Sequence, residues 1–310
     1  MVTRASTGRR APARSRWLVE SAPIRIPSSP SPARSPRGDG PDCRRGTRGR
    51  PGGRPTRPRA RNRDPDRGVP SGLAASTLLH GPFSGDGDAA AALVAELETA
   101  EGADHAAGDS AGSGEEFDRR LASLVTIDTV AAAGATERAS RAVERALRPY
   151  RTPDAPFDTL GGYADVLDAV ARTAPAAGIS LALGERAAGN EDVRDAALAA
   201  WRKYGTAVHE ALQTAATARH HGVWVLELGD ADAAILPAVA RLARDFRAPE
   251  PVALAVADGA AAAAGESGIG DAVATAASAV DGTGHGTDDA GWARFDTETE
   301  QFTDAFREAL

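Results

Sequence analysis

The sequence predicts an α/β protein with a mixed sheet, preceded by a long basic segment. Two short apolar runs, at residues 223–228 and 252–256, have the length and the valine content of buried strands. A segment with helical spacing of apolar residues lies between them, so a crossover can join the two strands. A Gly-rich stretch and a further short strand follow near the C-terminus. This alternation of strands and helices predicts the fold class.

The charge of the chain is divided very unevenly. Residues 1–70 contain 18 arginines, no lysine and five acidic residues, a net charge of +13, whereas the rest has 18 bases against 38 acids, a net charge of -20. We predict that residues 1–70, which also hold 12 of the 20 prolines, form a disordered tail. Three interpretations stay open: an electrostatic nucleic-acid arm, a segment without a role, or upstream DNA translated in an unproductive frame.

The sequence predicts that residues 71–156 form a partial strand followed by a helical connector. The strand is predicted at residues 76–80, and Asp86 or Asp88 is expected to cap the helix that follows. A Gly/Asp/Ser loop at residues 102–114 separates this helix from later helical patterns. Those patterns begin at residue 115 and again at residue 136, and prolines after residue 148 end them.

Residues 157–310 predict the alternating α/β part. The expected helices lie at residues 162–172, 191–219, 233–246, 269–280 and 301–310. The expected strands lie at residues 179–183, 223–228, 252–256 and 292–295. The apolar positions of the long helix include Trp201 and Tyr204. Trp201, Trp224 and Trp292 are expected in the core, where they would not serve as base-stacking platforms.

The Gly-rich loop at residues 281–290 is the candidate binding motif. Gly282 and Gly284 let backbone N–H groups approach an anion, and the ring of His285 can donate as well, an arrangement that suits a phosphate. A turn whose glycines only satisfy unusual backbone angles explains the same residues. The motif alone does not decide between the two interpretations.

The order of elements around this loop resembles a known family. A strand ending in VALAVADG, an Ala-rich helix, GTGHGTDDAGWARF and a final helix are together similar to the DHHA1 domain of DHH-family phosphoesterases, with its GGGH loop. Upstream, YADVLDAVAR and GISLALG resemble a stretch of archaeal RecJ-like exonucleases. The resemblance covers roughly residues 76–310 and identifies residues 157–310 as a DHHA1-like substrate-binding domain of a haloarchaeal RecJ-like protein.

The resemblance implies a hydrolase of single-stranded nucleic acid or short oligonucleotides, acting in DNA replication or repair. It implies Mn²⁺ or Mg²⁺ held by an N-terminal DHH half, and substrate contacts from Gly282, Gly284 and His285, with Arg172 as the partner charge. Asp-His-His does not occur in residues 71–310, and Asp104-His105 is the nearest approach. We therefore expect a truncated or degenerate relative. The alternative is a non-catalytic paralogue that acts as a nucleic-acid-binding or replication-complex scaffold.

Other departures and candidates bear on this expectation. Relatives place a Ser-x-Arg where this chain has Glu266, and an acid beside a phosphate is repulsive. His220-His221 and Asp288-Asp289 are candidate metal ligands. A position at a helix end explains the two histidines better, and solvated surface charge explains the two aspartates better. The single Cys43 excludes an internal disulfide framework. The sequence shows no membrane span, and a cytoplasmic location is expected.

Overall fold

The computed structural model describes residues 65–104, 113–147, 150, 157, 159–184 and 191–310. Within these residues it confirms the α/β class. The helices are α1 (Pro65–Ala75), α2 (Gly87–Asp104), α3 (Ser113–Ala131), α4 (Glu137–Ala146), α5 (Leu160–Thr173), α6 (Pro175–Gly184), α7 (Glu191–Thr214), α8 (Leu236–Leu242), α9 (Ile269–Ala279) and α10 (Thr299–Ala309). A π-helical turn, Ala243–Arg247, extends α8.

The strands in the described part of the chain form one six-stranded sheet in the order β1-β2-β3-β4-β6-β5. They are β1 (Ala216–His220), β2 (Val223–Glu227), β3 (Val252–Ala257), β4 (Ala260–Ala264), β5 (Thr283–Gly286) and β6 (Ala290–Arg294). Only β2 and β3 pair in parallel, joined by α8 as a crossover, and the other neighbours are antiparallel. The predicted mixed sheet is therefore present.

Each face of the sheet packs against a different set of helices. Helices α9 and α10 cover one face, where Leu254 and Val256 of β3 contact Phe302 and Phe306. Helix α8 covers the other face, and α7 packs behind α8. Side chains of a strand alternate between the two faces, so the register of the sheet decides which residues meet which layer.

The helices before the sheet pack around α7. Helix α7 contacts α1, α5 and α6. At Gly205 the backbone of α1 comes so close that a Cβ atom would lie 1.8 Å from the carbonyl oxygen of Ala75. The long helix of the sequence analysis is therefore the centre of the helical layer.

Two predicted strands are wrong. Residues 76–80 form a turn, because the polar groups of Ser76 and Thr77 bind Asp165 instead of a neighbouring strand. Residues 179–183 lie within α6, where Ile179 is exposed and Leu181 is buried. A five-residue apolar run is ambiguous between helix and strand, and the preceding Pro175 favours a helix start.

Three strands were not predicted. The chain leaves α7 at Thr214 instead of residue 219 and forms β1, which turns into β2 through Gly222 at φ 84°. The five alanines of β4 follow a turn at Gly259, φ 72°. The predicted loop at 281–290 contains β5, an edge strand.

The segment predicted as a helical connector contains α2, α3 and α4 within the described residues, and Asp86 caps α2. Its side-chain Oδ1 accepts from the backbone N–H groups of Asp88 and Ala89, at 2.9 and 3.0 Å. The predicted disordered tail lies outside the described residues up to residue 64. Its last six residues are helical, because α1 begins at Pro65 and packs against α2 and α7.

Candidate functional site

A cleft of about 1290 Å³ lies between the helical layer and one end of the sheet. Its walls are the end of α5, the C-terminal half of α7, the loop after β2 and the residues of β6 from Trp292 to Arg294. The loop after β2 stands at the carboxyl end of a parallel strand, the usual position of ligand sites in α/β sheets. The volume exceeds that of a typical small-molecule pocket, which is about 300–1,000 Å³.

Three cationic side chains line this cleft, each from a different element. They are Arg172 at the end of α5, Lys203 on α7 and Arg294 at the end of β6. Within the described residues, Lys203 and Arg294 make no ion pair. Arg172 is paired with Asp168 one turn earlier, with its Nη2 2.9 Å from Asp168 Oδ1. The predicted residue Arg172 therefore lies in the cleft with part of its hydrogen-bonding capacity already used.

Acidic side chains line the remainder of the cleft. Glu210 lies toward the end of α7, and Glu227, Asp230 and Asp232 lie at the end of β2 and in the loop after it. A polyanion would be repelled by this part of the cleft. Any phosphate held here must therefore contact the side formed by α5, the middle of α7 and β6.

Trp292 and His285 form an exposed aromatic pair beside this cationic side. They are directly opposite each other on β6 and β5, and their ring centroids are 4.0 Å apart in an edge-to-face arrangement. Trp292 is 38% exposed and lines the cleft. The expectation that Trp292 belongs to the core is wrong, whereas Trp201 and Trp224 are buried as expected. Strand β6 has only β5 beyond it, and helix α8 makes most of its contacts on this face with β3 and β4.

The glycines of the motif have a packing role. A Cβ atom at Gly284 would lie 2.7 Å from the carbonyl oxygen of Val273 in α9, and one at Gly282 would lie 2.5 Å from the carbonyl oxygen of Arg294. Gly284 therefore faces α9, and His285 faces the opposite side of the sheet with Trp292. The close approach of α9 explains Gly284, and substrate binding by Gly282 and Gly284 stays a prediction.

A buried polar cluster, which the sequence analysis missed, holds the helical layer behind the cleft. The Asp165 carboxylate accepts hydrogen bonds from Ser76, Thr77 and the indole Nε1 of Trp201. Burial raises the pKa of Asp165, although these hydrogen bonds oppose the rise. Arg241 donates to the backbone carbonyl of Thr77 nearby. One acidic residue within an amphipathic helix does not stand out in a sequence, so the sequence analysis could not predict the cluster around Asp165.

Two buried histidines lie at the end of the same cluster. The Nδ1 atoms of His80 and His209 are 3.2 Å apart, and His209 Nε2 donates to the carbonyl oxygen of Ser76. The carbonyl oxygen of Ser76 only accepts, so the neutral ring of His209 carries its proton on Nε2. Its Nδ1 is therefore the acceptor of the hydrogen bond that His80 Nδ1 donates. Burial, with His209 and Arg247 nearby, lowers the pKa of His80 to about 3, and burial lowers the pKa of His209 to about 4. Both rings are therefore neutral at pH 7.

The hydroxyl of Tyr204 lies close to this cluster, in the wall of the cleft. Tyr204 is 2% exposed, and its hydroxyl has no hydrogen-bond partner in the described part of the chain. Burial and the carboxylate of Asp168 raise its pKa well above the usual range, with Arg172 opposing. The phenol is therefore protonated at neutral pH.

The described residues do not fit the manganese or magnesium site that the resemblance implies. Among them, no group of three or more histidine, cysteine or acidic side chains could hold a metal ion. Asp232 accepts from the backbone N–H of Ala234 in the turn before α8. Asp288 accepts from the backbone N–H of Gly268, and Asp289 from the hydroxyl of Thr287. These acids have structural partners within the chain.

The two consecutive histidines are also not a helix-end pair. His220 is the last residue of β1, and His221 lies in the turn to β2.

Within the described helices, no segment is both long and apolar enough to cross a membrane.

Comparisons with known proteins give one family match and one relative. The family described as the C-terminal domain of uncharacterized protein rrnAC1427 matches residues 215–308, which begin just before β1 and end within α10. Uncharacterized protein rrnAC1427 of Haloarcula marismortui is 45% identical over 248 residues. That alignment covers 79% of this chain and 62% of the relative, so the chain spans less than two thirds of its length.

Solved structures similar to the chain are RecJ exonucleases. RecJ of Thermus thermophilus in complex with Mn²⁺ is 17% identical with a TM-score of 0.38, covering 62% of this chain and 29% of that one. Exonuclease RecJ bound to manganese is 15% identical with a TM-score of 0.36, covering 62% and 48%. At TM-scores this low, the likeness supports no conclusion about fold or activity.

Proposed function

We propose that this chain supplies the substrate-binding part of a RecJ-like, DHH-family phosphoesterase and holds single-stranded nucleic acid in its cleft. The observation that carries the proposal is the placement of Arg172, Lys203 and Arg294 around one side of the cleft, beside the exposed pair of Trp292 and His285. Cations from three separate elements converge there, although residues 71–310 as a whole have a net charge of -20.

Each of these groups has a specific task in the proposal. Lys203 and Arg294, which have no ion-pair partner among the described residues, bind phosphate oxygens. Arg172 shares its guanidinium between Asp168 and a phosphate, since its fork of donors exceeds what one carboxylate oxygen accepts. His285 donates from its ring at the edge of the sheet, and the backbone at Gly282 and Gly284 stays a candidate contact.

The acidic loop after β2 sets the direction of the bound strand. Glu227, Asp230 and Asp232 repel phosphates, so the strand runs from the α5 and α7 side toward β6 and away from this loop. Only a few phosphates are contacted in this arrangement. The salt dependence of binding in the cleft is therefore shallow.

The alternative is a non-catalytic nucleic-acid-binding or replication-complex scaffold. The observation that favours it is Glu266, an exposed acid in the turn after β4, where relatives place the arginine of a Ser-x-Arg. The two functions share the cleft and differ in turnover. Incubating the full chain with short single-stranded DNA and RNA in the presence of Mn²⁺ tests the scaffold, because phosphodiester cleavage would exclude it. Binding without cleavage fits both functions, since the described residues do not form the metal site.

The cleft itself is tested by charge removal in the full chain. We expect the double variant K203A/R294A to bind a labelled single-stranded oligonucleotide at least about tenfold more weakly than the wild type, measured by fluorescence anisotropy. The slope of log Kd against log salt should fall by about 0.7 for each phosphate that the variant no longer neutralises. Because both side chains are exposed, the fold is expected to stay intact.

A matched control separates the cleft from general charge, including that of the basic tail. The double variant R202A/R307A removes the same charge from exposed positions that do not line the cleft. It should bind as the wild type does. Equal affinity of the two double variants would contradict the proposal. The variant R172A/H285A tests the contacts expected from the sequence motif in the same assay.

A further inference from the structure

Trp292 is an exposed tryptophan at a position where the fold could have buried it. An indole ring is one of the largest apolar groups in proteins, and the 38% of Trp292 that stays exposed in this concave site forgoes part of the free energy of burial. Among the exposed large apolar side chains of the described residues, Trp292 is the one that lines the cleft. Its exposure therefore calls for an occupant of the cleft that covers it.

The surrounding strands hold the indole ring in place. Strand β6 pairs with β4 on one side and β5 on the other, and Trp292 lies opposite Ala262 and His285. The His285 ring contacts the indole edge-to-face, with the two ring centroids 4.0 Å apart. A ring fixed on the middle strand of three loses little conformational entropy when a flat ligand covers it.

A cation accompanies the ring at a fixed spacing. Arg294 lies two residues further along β6 on the same face, about 7 Å away at the usual rise of a strand. Both side chains line the cleft. A flat aromatic surface with a cation beside it is complementary to a nucleotide, whose base is flat and aromatic and whose phosphate is anionic.

We propose that Trp292 is a stacking platform for a nucleobase, with Arg294 binding the phosphate of the same or the adjoining nucleotide. The ligand class is a single-stranded oligonucleotide that presents an unpaired base to β6. Stacking tolerates all four bases, so the platform gives affinity without reading sequence. This inference rests on the proposed function and adds to it the group that recognises the base.

The experiment compares two probes on the full chain. One probe is a short 5′-phosphorylated single-stranded oligonucleotide, and the other is the same oligonucleotide with abasic sites. Measurements at molar potassium chloride suppress electrostatic binding by the arginine-rich segment and leave stacking in place. For W292A we expect a loss of affinity of about 5- to 100-fold for the first probe and no change for the abasic probe.

The conservative variant and a control complete the design. W292F retains a flat ring and should bind the base-containing probe within a few-fold of the wild type. Ile127→Ala removes an exposed apolar side chain of α3 that does not line the cleft, and it should change nothing. Thermal unfolding checks that each variant is folded.

The outcomes distinguish this inference from the proposed function. If the wild type binds both probes equally, or if W292A binds the base-containing probe as the wild type does, the platform is refuted and the phosphate-binding cleft stands. If the wild type binds neither probe at molar salt, the platform fails, and the K203A/R294A measurement at lower salt decides the proposed function. A loss restricted to the base-containing probe supports the platform.

Discussion

The two faces of the sheet are built from different side chains, although they belong to the same strands. On the face of α9 and α10, β3 presents Val252, Leu254 and Val256, which pack with phenylalanines of α10. On the face of α8, the same strand presents only alanines, and β4 adds more alanines. Strand β3 therefore places large apolar side chains under α9 and α10 and small ones under α8, where the large side chains come from Trp224 and Leu226 of β2.

The difference continues to the edge of the sheet and produces the cleft. Helix α9 covers β5 and β6 on the first face, where Gly284 allows close contact. On the second face α8 lies over β3 and β4, so Trp292 and His285 remain exposed beyond it. The first face, which α9 covers as far as β5, is the closed face. The second face, which is uncovered beyond α8, is the open face. The binding surface therefore follows from where α8 stops covering the sheet.

The largest expected effect is on the closed face. In Gly284→Ala the new Cβ atom meets the backbone of α9 at 2.7 Å, which neither the strand nor the helix can relieve without moving. We expect the free energy of unfolding to fall by about 3 kcal/mol or more, measured by denaturant titration. Thr283→Ala, at the neighbouring exposed position, is the control and should change it by less than about 0.5 kcal/mol. A tolerated Gly284→Ala would show that α9 is less closely packed than described.

The second prediction concerns the helical layer behind the open face, which carries the buried ionisable groups. His80 and His209 have a pKa of about 3 and about 4 in the folded chain and about 6.5 when unfolded. Between pH 6.5 and about 4 the unfolded chain therefore binds protons that the folded chain does not. The free energy of unfolding should therefore fall as the pH drops through this window, by up to about 1.4 kcal/mol per pH unit for each ring.

Burial sets the sign of this dependence, and the charged groups around the pair add to it or oppose it. Arg247 and Arg241 disfavour protonation of the two rings. The raised pKa of Asp165 acts in the opposite direction, because its folded form takes up a proton first and so gains stability as the pH falls. The double variant H80N/H209Q removes both titrations and should flatten the slope, whatever its stability at pH 7. An unchanged slope would contradict the prediction.

The sequence predicts the fold class and most helices well because their apolar spacing reflects burial. Helices α5 and α9 lie where the spacing predicted them, and β2 and β3 are continuous apolar runs. Strand β4 could not be predicted in this way. Five alanines favour a helix, and only the turn at Gly259 and the space between two helical layers make them a strand.

The candidate site was predictable only in part. His285 and Arg172 were expected from a motif and a resemblance, and the structure places Arg172 in the cleft and His285 against Trp292 at its edge. Lys203, Arg294 and Trp292 were missed as a group, because they come from α7 and β6 and meet only through the packing of the helical layer on the sheet. The exposure of Trp292 depends on where α8 ends, which no local pattern encodes.

The smallest expected effect lies at the wall of the cleft, where the open face meets the helical layer. Tyr204 buries its hydroxyl without a hydrogen-bond partner among the described residues, so the folded chain carries the cost of desolvating that group. Tyr204→Phe removes the hydroxyl and keeps the ring that packs between α5 and α7. We expect the free energy of unfolding to stay the same or to rise by up to about 1 kcal/mol, measured by denaturant titration.

Tyr150→Phe is the matched control, because Tyr150 is 79% exposed and its hydroxyl is hydrated in both states. A loss of more than about 1 kcal/mol in Tyr204→Phe alone would mean that the hydroxyl has a partner in the folded protein.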